Sequence, residues 1–399
     1  MFPLKIIIAS LPRARHLIAA GLVAICSPVL AADAPATVEL PQAAFTESTA
    51  AGLGATKRVA ITNVVIAFQA STGAEAGARF FVPMLTSRDK VQTVLSMPDI
   101  DEALQDAIAQ AAFQALRAEL TARGYEVVPQ EQVTASANYR AILGQGGFAN
   151  HSRFANAMGD VMLVGAPGLE PYTAYQGEIG NFQYPSTSYL GWIGGFGGKS
   201  ATANGLSIIK QANAWKVPGL EVALAKELNA NIVKAYYVVS LGKADAKRST
   251  SFTVTPKAGM FSYKGELYQG FYNQTTRTVT GSGQAFAQVG LVADQSHIAF
   301  RAPTGNAKWQ KVAMTKIVPP KDGDVVVRIT SPLLGSTDFF DVRQADFKRA
   351  GGLVFSSQKR ADINLSFEAR ITDPQAYGKE VTGMIDAANQ AMLALVPAP

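Results

Sequence analysis

The order of the hydrophobic patterns along the chain constrains the fold more than any other feature of the sequence. Up to about residue 243, apolar runs typical of buried strands alternate with patterns of helical period, whereas residues 251–329 carry only short alternating runs separated by Gly, Pro and Asn. Such an order is typical of an α+β fold. We therefore predict an α/β region at 57–243 and a β-rich antiparallel region at 244–399, closed by a C-terminal helix.

One strand and one long helix are the clearest elements of the first region. Residues Arg58–Phe68 are apolar and rich in β-branched side chains, which predicts a buried strand. In the helix that follows, Asp99 is placed to cap the first turn with Glu102 as its capping-box partner, and Gly124 is placed to end the last turn. The apolar face of this helix has a spacing of four and consists of Ile100, Leu104, Ile108, Ala112, Leu116 and Leu120.

Further elements follow from shorter patterns. Tyr125–Pro129 predicts a short strand, Leu220–Leu228 a helix, and Asn231–Leu241 a second buried strand. Asp322-Gly323 is typical of a hairpin turn, and Ile363–Ile371 alternates as a strand does.

The C-terminal helix has both a start signal and an apolar stripe. Asp373 can cap it, and Pro374 suits its first position. The predicted stripe is Tyr377, Val381, Met384, Ile385, Ala388, Met392 and Leu395.

The N-terminal segment has the layout of a secretory signal peptide. A positive start precedes the apolar run Leu17–Ile25, and small residues stand around Val29-Leu30-Ala31. The positive start consists of Lys5, Arg13, Arg15 and His16. This pattern predicts removal of residues 1–31 by cleavage near Ala31, a flexible leader at 32–56, and a mature protein in the periplasm or cell envelope.

The cysteine content and the net charge limit the possible cross-links, anchors and partners of the chain. The single cysteine, Cys26, excludes an intrachain disulfide, and Ile25 before it disfavours a lipid anchor. Without Lys5, Arg13 and Arg15, the formal charge falls from +6 to +3. This weakly basic balance does not indicate a nucleic-acid partner. The short Lys/Arg clusters are typical of solvated loops, with anionic lipid or polysaccharide as the alternative partner.

Motifs for catalysis, metals or cofactors are missing from the sequence pattern. The two histidines after the N-terminal segment, His151 and His297, lie far apart and without ligand spacing, so we expect neither a metal site nor a catalytic triad. The run 194–200 (GGFGGKS) lacks the first glycine of a phosphate-binding loop, because Ile193 stands there. The acidic residues near Asp99 and Glu102 are accounted for by capping. We predict no catalytic residue and no cofactor.

Two sets of aromatic residues are the candidate binding residues. The first lies in a Gly- and aromatic-rich insertion at 144–205 and comprises Tyr189, Trp192, Phe196 and Lys199; the second comprises Tyr263, Tyr268 and Phe271. Exposed aromatics among glycines can contact a membrane interface, a sugar ring or a neighbouring subunit, or they can fold back over their own core. The sequence leaves these alternatives open.

Two motifs resemble those of the amino-terminal domain of TolB and of the curli-export protein CsgG. The first is Gly124-Tyr125-Glu126-Val127-Val128, similar to a "GxxVV" strand after a long helix. The second is Leu228–Val239, similar to an "L-x-A-x-x-V-x-G-x-I" strand with Ala235 where glycine is usual. The resemblance covers only part of the chain. It implies a TolB-N/CsgG-like α/β unit in a non-enzymatic envelope protein that docks on partners.

The leading hypothesis is therefore an exported scaffold or assembly factor whose partners are envelope proteins, with oligomer formation as one option. One alternative is a periplasmic glycan- or lipid-binding protein, and another is a CsgG-like oligomeric outer-membrane export component. CsgG-like proteins pool β-hairpins from many subunits, and Phe252–Tyr272 has a comparable place in the order. A hydrolase that uses carboxylates or a lone serine is the remaining alternative.

Overall fold

Helices and strands both build the core of this protein, which has an α+β fold. A computed structural model describes part of the chain. The described residues are 45–48, 56–77, 90–97, 100–156, 159–174, 216–264, 266–293, 295–304, 324–350 and 362–396.

The helices within these ranges are α1 (Glu102–Ala122), α2 (Gln130–Ala135), α3 (Ala137–Gly146), α4 (Val217–Leu228) and α5 (Pro374–Ala394). The strands up to the middle of the chain are β1 (Phe45–Ser48), β2 (Arg58–Gln69), β3 (Ser71–Gly77), β4 (Lys90–Ser96), β5 (Glu126–Val127), β6 (Ser152–Asn156) and β7 (Gly159–Gly165). The later strands are β8 (Asn231–Tyr263), β9 (Glu266–Leu291), β10 (His297–Arg301), β11 (Asp324–Ile329), β12 (Leu333–Leu334), β13 (Phe340–Ala350) and β14 (Asp362–Ile371).

Two sheets organise the described strands. Sheet A follows the order β1-β11-β10-β8-β2-β7-β6, with β5 beside β2, β9 beside β8, and β12 beside β9. It is mixed, because β2 runs parallel to β8 and β5 but antiparallel to β7. Sheet B has the order β13-β14-β4-β3, and its two hairpins meet where β14 and β4 run parallel.

The main core lies between sheet A and two helices that pack against each other, α1 and α5. Strand β2 is buried along nearly its whole length, as its apolar, β-branched sequence predicts. The predicted apolar face of α1 is confirmed, since Ile108, Ala112, Leu116 and Leu120 are buried. Helix α5 starts as predicted, with Asp373 accepting a hydrogen bond from the backbone N–H of Ala376.

Several sequence expectations need correction at element ends. The cap of α1 is Asp101, whose carboxylate accepts from the N–H of Ala103; Asp99 lies outside the described residues. Leu395 is half exposed because it follows the last helical residue of α5, and Leu393 is buried instead. Residues 45–48, expected in a flexible leader, form an edge strand on β11.

The Gly- and aromatic-rich insertion at 144–205 begins with regular structure. Helix α3 runs to Gly146, the β6–β7 hairpin follows, and a bridge joins Gly147 to Tyr172. Its short apolar runs were not recognised because glycines surround them. The Asp322-Gly323 turn lies outside the described residues, although β10 and β11 pair antiparallel on either side of it.

Strand β8 is much longer than predicted. The pattern indicated an end at Leu241, yet the strand runs for 33 residues and pairs with β9 over most of that length. A bulge between Ser240 and Gly242 lets the strand change direction without ending. Gly242 has a φ of +143°, and a Cβ there would collide with the carbonyl oxygen of Phe286, so this position requires glycine. The boundary proposed between residues 243 and 244 falls inside β8.

Sheet B covers one face of the β8–β9 hairpin just beyond this bulge. Residues 242, 244, 246, 248 and 250 are partly covered, whereas the alternating residues 243, 245, 247 and 249 are exposed. On β9, a Cβ at Gly281 would lie 2.6 Å from Val91 Cγ2, and a Cβ at Gly283 would lie 2.9 Å from Leu365 Cδ1. The glycines therefore let sheet B approach the hairpin closely.

We expect Gly283→Ala to lower the free energy of unfolding by about 1–3 kcal/mol, because the new methyl group overlaps Thr93 and Leu365. The matched control is Gly144→Ala on the exposed side of α3, where nothing lies within 4 Å of the new Cβ; it should raise stability by about 0.5–1 kcal/mol. Urea denaturation measures both. Equal effects would contradict the close packing of sheet B on the hairpin.

Candidate functional site

The distal part of the β8–β9 hairpin extends beyond the other strands of sheet A and beyond sheet B. We call residues Ser251–Tyr263 and Glu266–Thr278 the arm; they pair in register with no bulge. Every residue from Ser251 to Ala258 is exposed, whichever face it is on. At roughly 3.3 Å per residue, the arm is about 40 Å long. The arm is thus a two-stranded ribbon that is covered on neither face between Ser251 and Ala258.

Apolar residues on β8 gather on one face of the arm. Phe252, Val254 and Met260 are 59%, 56% and 64% exposed, and Pro256 and Ala258 lie between them in the same row. The opposite face of β8 carries Ser251, Thr253, Thr255, Lys257 and Gly259. We call the first set the apolar row.

The apolar row continues the face that sheet B covers nearer the bulge. Alternation places residues 244, 246 and 248 on the same face as Phe252 and Val254, and no register shift intervenes. Sheet B packs on this face at Gly281 and Gly283, which pair with Arg248 and Ala246. Sheet B therefore covers this face near the bulge, whereas the apolar continuation of the same face on the arm is exposed.

The structure brings one of the two predicted aromatic sets to the arm. Tyr263 pairs with Glu266 next to the turn, Tyr268 lies opposite Phe261, and Phe271 lies opposite Ala258. The other set, Tyr189, Trp192, Phe196 and Lys199, lies outside the described residues. The apolar row itself was missed as a site; its signal was the strict alternation from Phe252 to Met260.

A ribbon of this kind is poorly stabilised by its own contacts. An isolated two-stranded hairpin is marginal in water, because ordering each residue costs roughly 1–2 kcal/mol and no core repays it. Large apolar side chains held in one exposed row are a feature of interaction sites. The arm is therefore the strongest candidate for a docking element in the described part of the chain.

A buried ionic cluster fixes helix α4 to the sheet from which the arm emerges. Glu221 of α4 forms ion pairs with Lys234 Nζ of β8 at 2.8 Å and with Arg301 Nε of β10 at 3.0 Å, and all three side chains are buried. Arg301 also donates to the carbonyl oxygen of Pro218 at 3.1 Å. The cluster ties one helix to two neighbouring strands.

The two cations in this cluster keep the Glu221 side chain ionised. Burial by itself raises the pKa of Glu221, but the Lys234 and Arg301 cations outweigh it and hold the pKa below its ordinary value. The Tyr172 hydroxyl, which is hydrogen-bonded to Thr62 at 2.7 Å, also favours the carboxylate. Glu221 is therefore a poor proton acceptor near neutral pH and acts as an anchor.

Neutral hydrogen bonds extend the cluster across the sheet. A bulge in β2 between Ile61 and Asn63 turns the Asn63 amide to donate to the Tyr172 carbonyl at 2.7 Å and to the Tyr236 hydroxyl at 3.0 Å. The buried polar groups at this position thus bond mainly to one another, as structural networks do.

His151 and His297 occupy structural positions. The His151 ring lies 3.1 Å from both Gln105 Oε1 and Asp106 Oδ1 on α1, so it ties the turn before β6 to that helix. His297 of β10 is buried against the Tyr236 ring, with centroids 4.9 Å apart, and its Nδ1 donates to the carbonyl of Gln295 at 3.0 Å. Burial, with Arg328 and Lys234 nearby, lowers the pKa of His297 to about 4.

The described residues contain neither a candidate metal cluster nor a candidate membrane-spanning helix. No group of three or more His, Cys, Asp or Glu side chains in these ranges is arranged to hold a metal ion. No helix in the same ranges is long and apolar enough to cross a membrane.

Comparison with known proteins adds no assignment. No family model, no curated protein and no solved structure matches this chain. The arm and the buried cluster therefore have to be interpreted from their own geometry.

We expect Glu221→Gln to lower the free energy of unfolding by about 3–5 kcal/mol, because it removes the buried carboxylate charge that pairs with two buried cations. The control is Glu227→Gln on the same helix, where the exposed carboxylate bonds only to Ser136 and Asn138 and the loss should be about 1 kcal/mol. Guanidinium denaturation compares them. Equal losses would show that the cluster is not the anchor of α4.

We expect stability to fall as the pH drops from about 6.5 to 4, because unfolding lets His297 take up a proton that the folded chain excludes. Its pKa is about 4 when folded against an ordinary 6.5, so the contribution is complete above pH 6.5 and amounts to about 3 kcal/mol. Thermal unfolding between pH 7.5 and 4 measures this slope. The slope should flatten in His297→Gln; an unchanged slope would refute the assignment.

Proposed function

We propose that this chain is an exported, non-enzymatic protein of the bacterial envelope that acts as a scaffold or assembly factor, and that the arm is its docking element. The N-terminal pattern supports export. The observation that carries the docking role is the apolar row, in which Phe252, Val254 and Met260 are exposed on a ribbon without a core.

The shape of the arm supports a protein partner. A ribbon offers backbone N–H and C=O groups along its edges, and added strands recognise such edges through main-chain hydrogen bonds. A partner that adds a strand would supply main-chain hydrogen bonds at an edge, and a partner that packs a layer on the ribbon would bury the apolar row. The same partner would recover the free energy that ordering the arm costs.

A second candidate is a CsgG-like oligomeric export component. The observation that favours it is the position of the arm, which follows the parallel pairing of β2 with β8 and projects from sheet A. In that case arms from several copies would associate with one another. The particle mass in detergent extracts separates the two candidates, since an export component would be a large ring.

We expect removal of the arm to abolish partner capture while leaving the fold intact. Thr250 and Val279 are directly opposite each other, so an Asn-Gly turn can replace residues 251–278 without changing the register. Cross-linking and affinity capture from envelope extracts, followed by mass spectrometry, would compare this variant with the intact chain.

A milder variant separates loss of the docking surface from misfolding of the chain that lacks the arm. Replacing Phe252, Val254 and Met260 together by Ser should reduce capture at least about tenfold, because three exposed apolar anchors are lost. The matched control is Leu334→Ser, which removes an apolar side chain that is 52% exposed on β12 and should leave capture unchanged. Capture that survives both arm variants would refute the proposed function.

A further inference from the structure

The two outer edges of the arm differ. Within the described residues, β8 and β9 pair only with each other from Ser251 to Thr278, so each strand presents one edge without a strand partner in that part of the structure. Exposed strand edges tend to pair with other strands unless the sequence blocks them. The residues along each edge therefore indicate which edge is available.

The edge of β8 is blocked near its middle. Pro256 lies opposite Asn273 in an unshifted part of the ladder, and proline has no N–H to donate. Inside a regular ladder, the proline nitrogen faces away from the paired strand, which here means towards the outer edge. The exposed Lys257 follows it directly. Proline and lysine are the two residues that most often prevent edge-to-edge pairing.

The edge of β9 carries no such block. Residues Leu267–Thr276 (LYQGFYNQTT) include neither proline nor a charged residue. They are rich in Thr and aromatic residues, which favour strands, and in Gln, whose side chains can form ladders between paired strands. Glu266 and Arg277 stand at the two ends of this stretch, so two copies in antiparallel orientation would bring the acidic end of one near the basic end of the other.

We infer that the arm pairs with a second copy of this chain, β9 edge against β9 edge, about a two-fold axis. Head-to-tail pairing would need the β8 edge, which Pro256 blocks, whereas pairing of one edge with itself closes after two copies. The product is a four-stranded ribbon of the order β8-β9-β9-β8. Because the two-fold axis is perpendicular to the ribbon, both apolar rows lie on the same face.

This inference rests on the proposed docking role of the arm and adds the identity of one partner. It predicts that the chain is a dimer and that the dimer contact is confined to residues 266–278. It also predicts that a residue near the middle of that stretch lies opposite its own copy.

Single cysteines test the geometry. In a Cys26→Ser background, Phe271→Cys and Tyr272→Cys each place a thiol at or beside the expected axis, and whichever of the two lies on the axis has the Cα separation of a disulfide. Mild oxidation should cross-link at least one of them into a covalent dimer. The controls Thr253→Cys and Thr255→Cys on β8 should stay uncross-linked. Cross-links on β8, or none on β9, would overturn the inference.

A matched pair of charge changes tests it without cysteine. Ala258 and Phe271 are directly opposite each other in the arm, so each can be replaced by Lys at the same depth. Phe271→Lys places like charges at or beside the proposed two-fold axis and should weaken dimerisation at least about tenfold. Ala258→Lys should leave the dimer unchanged. Sedimentation equilibrium measures both, and equal behaviour would overturn the inference.

The outcomes separate this inference from the proposed function. If partner capture depends on the arm but β9 forms no cross-link with itself, the partner is another protein. That result refutes the dimer inference and leaves the proposed function standing. In the double variant Thr253→Cys/Tyr272→Cys, covalent species larger than a dimer would show head-to-tail pairing and would also overturn it. If capture persists without the arm, the proposed function itself falls.

Discussion

The continuity of strand β8 is the constraint on which the rest of the structure depends. Its first part is the centre of sheet A, parallel to β2 and antiparallel to β10. Beyond the bulge at Gly242 the same strand carries the face that sheet B covers, and beyond Thr250 it becomes half of the arm. A well-packed core and an uncovered ribbon are therefore parts of one hydrogen-bonded strand, and a force on the arm acts directly on the core.

The buried cluster acts on the first part of this strand. Glu221 binds Lys234 of β8 and Arg301 of β10, so α4 is tied to two adjacent strands by ion pairs away from water. Such pairs add less net stability than an apolar contact of equal size, but breaking one of them is costly, which favours a single arrangement of helix and sheet. The cluster thus fixes the position of the strand that becomes the arm.

The sequence predicted those elements whose pattern repeats over several turns or a long apolar run. The apolar stripes of α1 and α5 and the buried strand β2 were recognised because burial on one side leaves a periodic signal. The full length of β8 was not predicted, because a glycine at position 242 and the Ser- and Thr-rich sequence after it are typical of the end of a strand. The ionic cluster joins residues that are far apart in the chain, and no local sequence pattern indicates such a contact. On the arm, Tyr263, Tyr268 and Phe271 were found by composition, whereas the apolar row needed the register.

We propose that the arm becomes fully ordered through contact with a partner. Amide hydrogen exchange measured on the chain alone and in its isolated complex tests this most directly, because it reports local opening residue by residue. We expect fast exchange at residues 251–278 in the chain alone, slow exchange there in the complex, and slow exchange in both at residues 231–239. Equal protection of the arm in both samples, or protection gained only elsewhere, would contradict it.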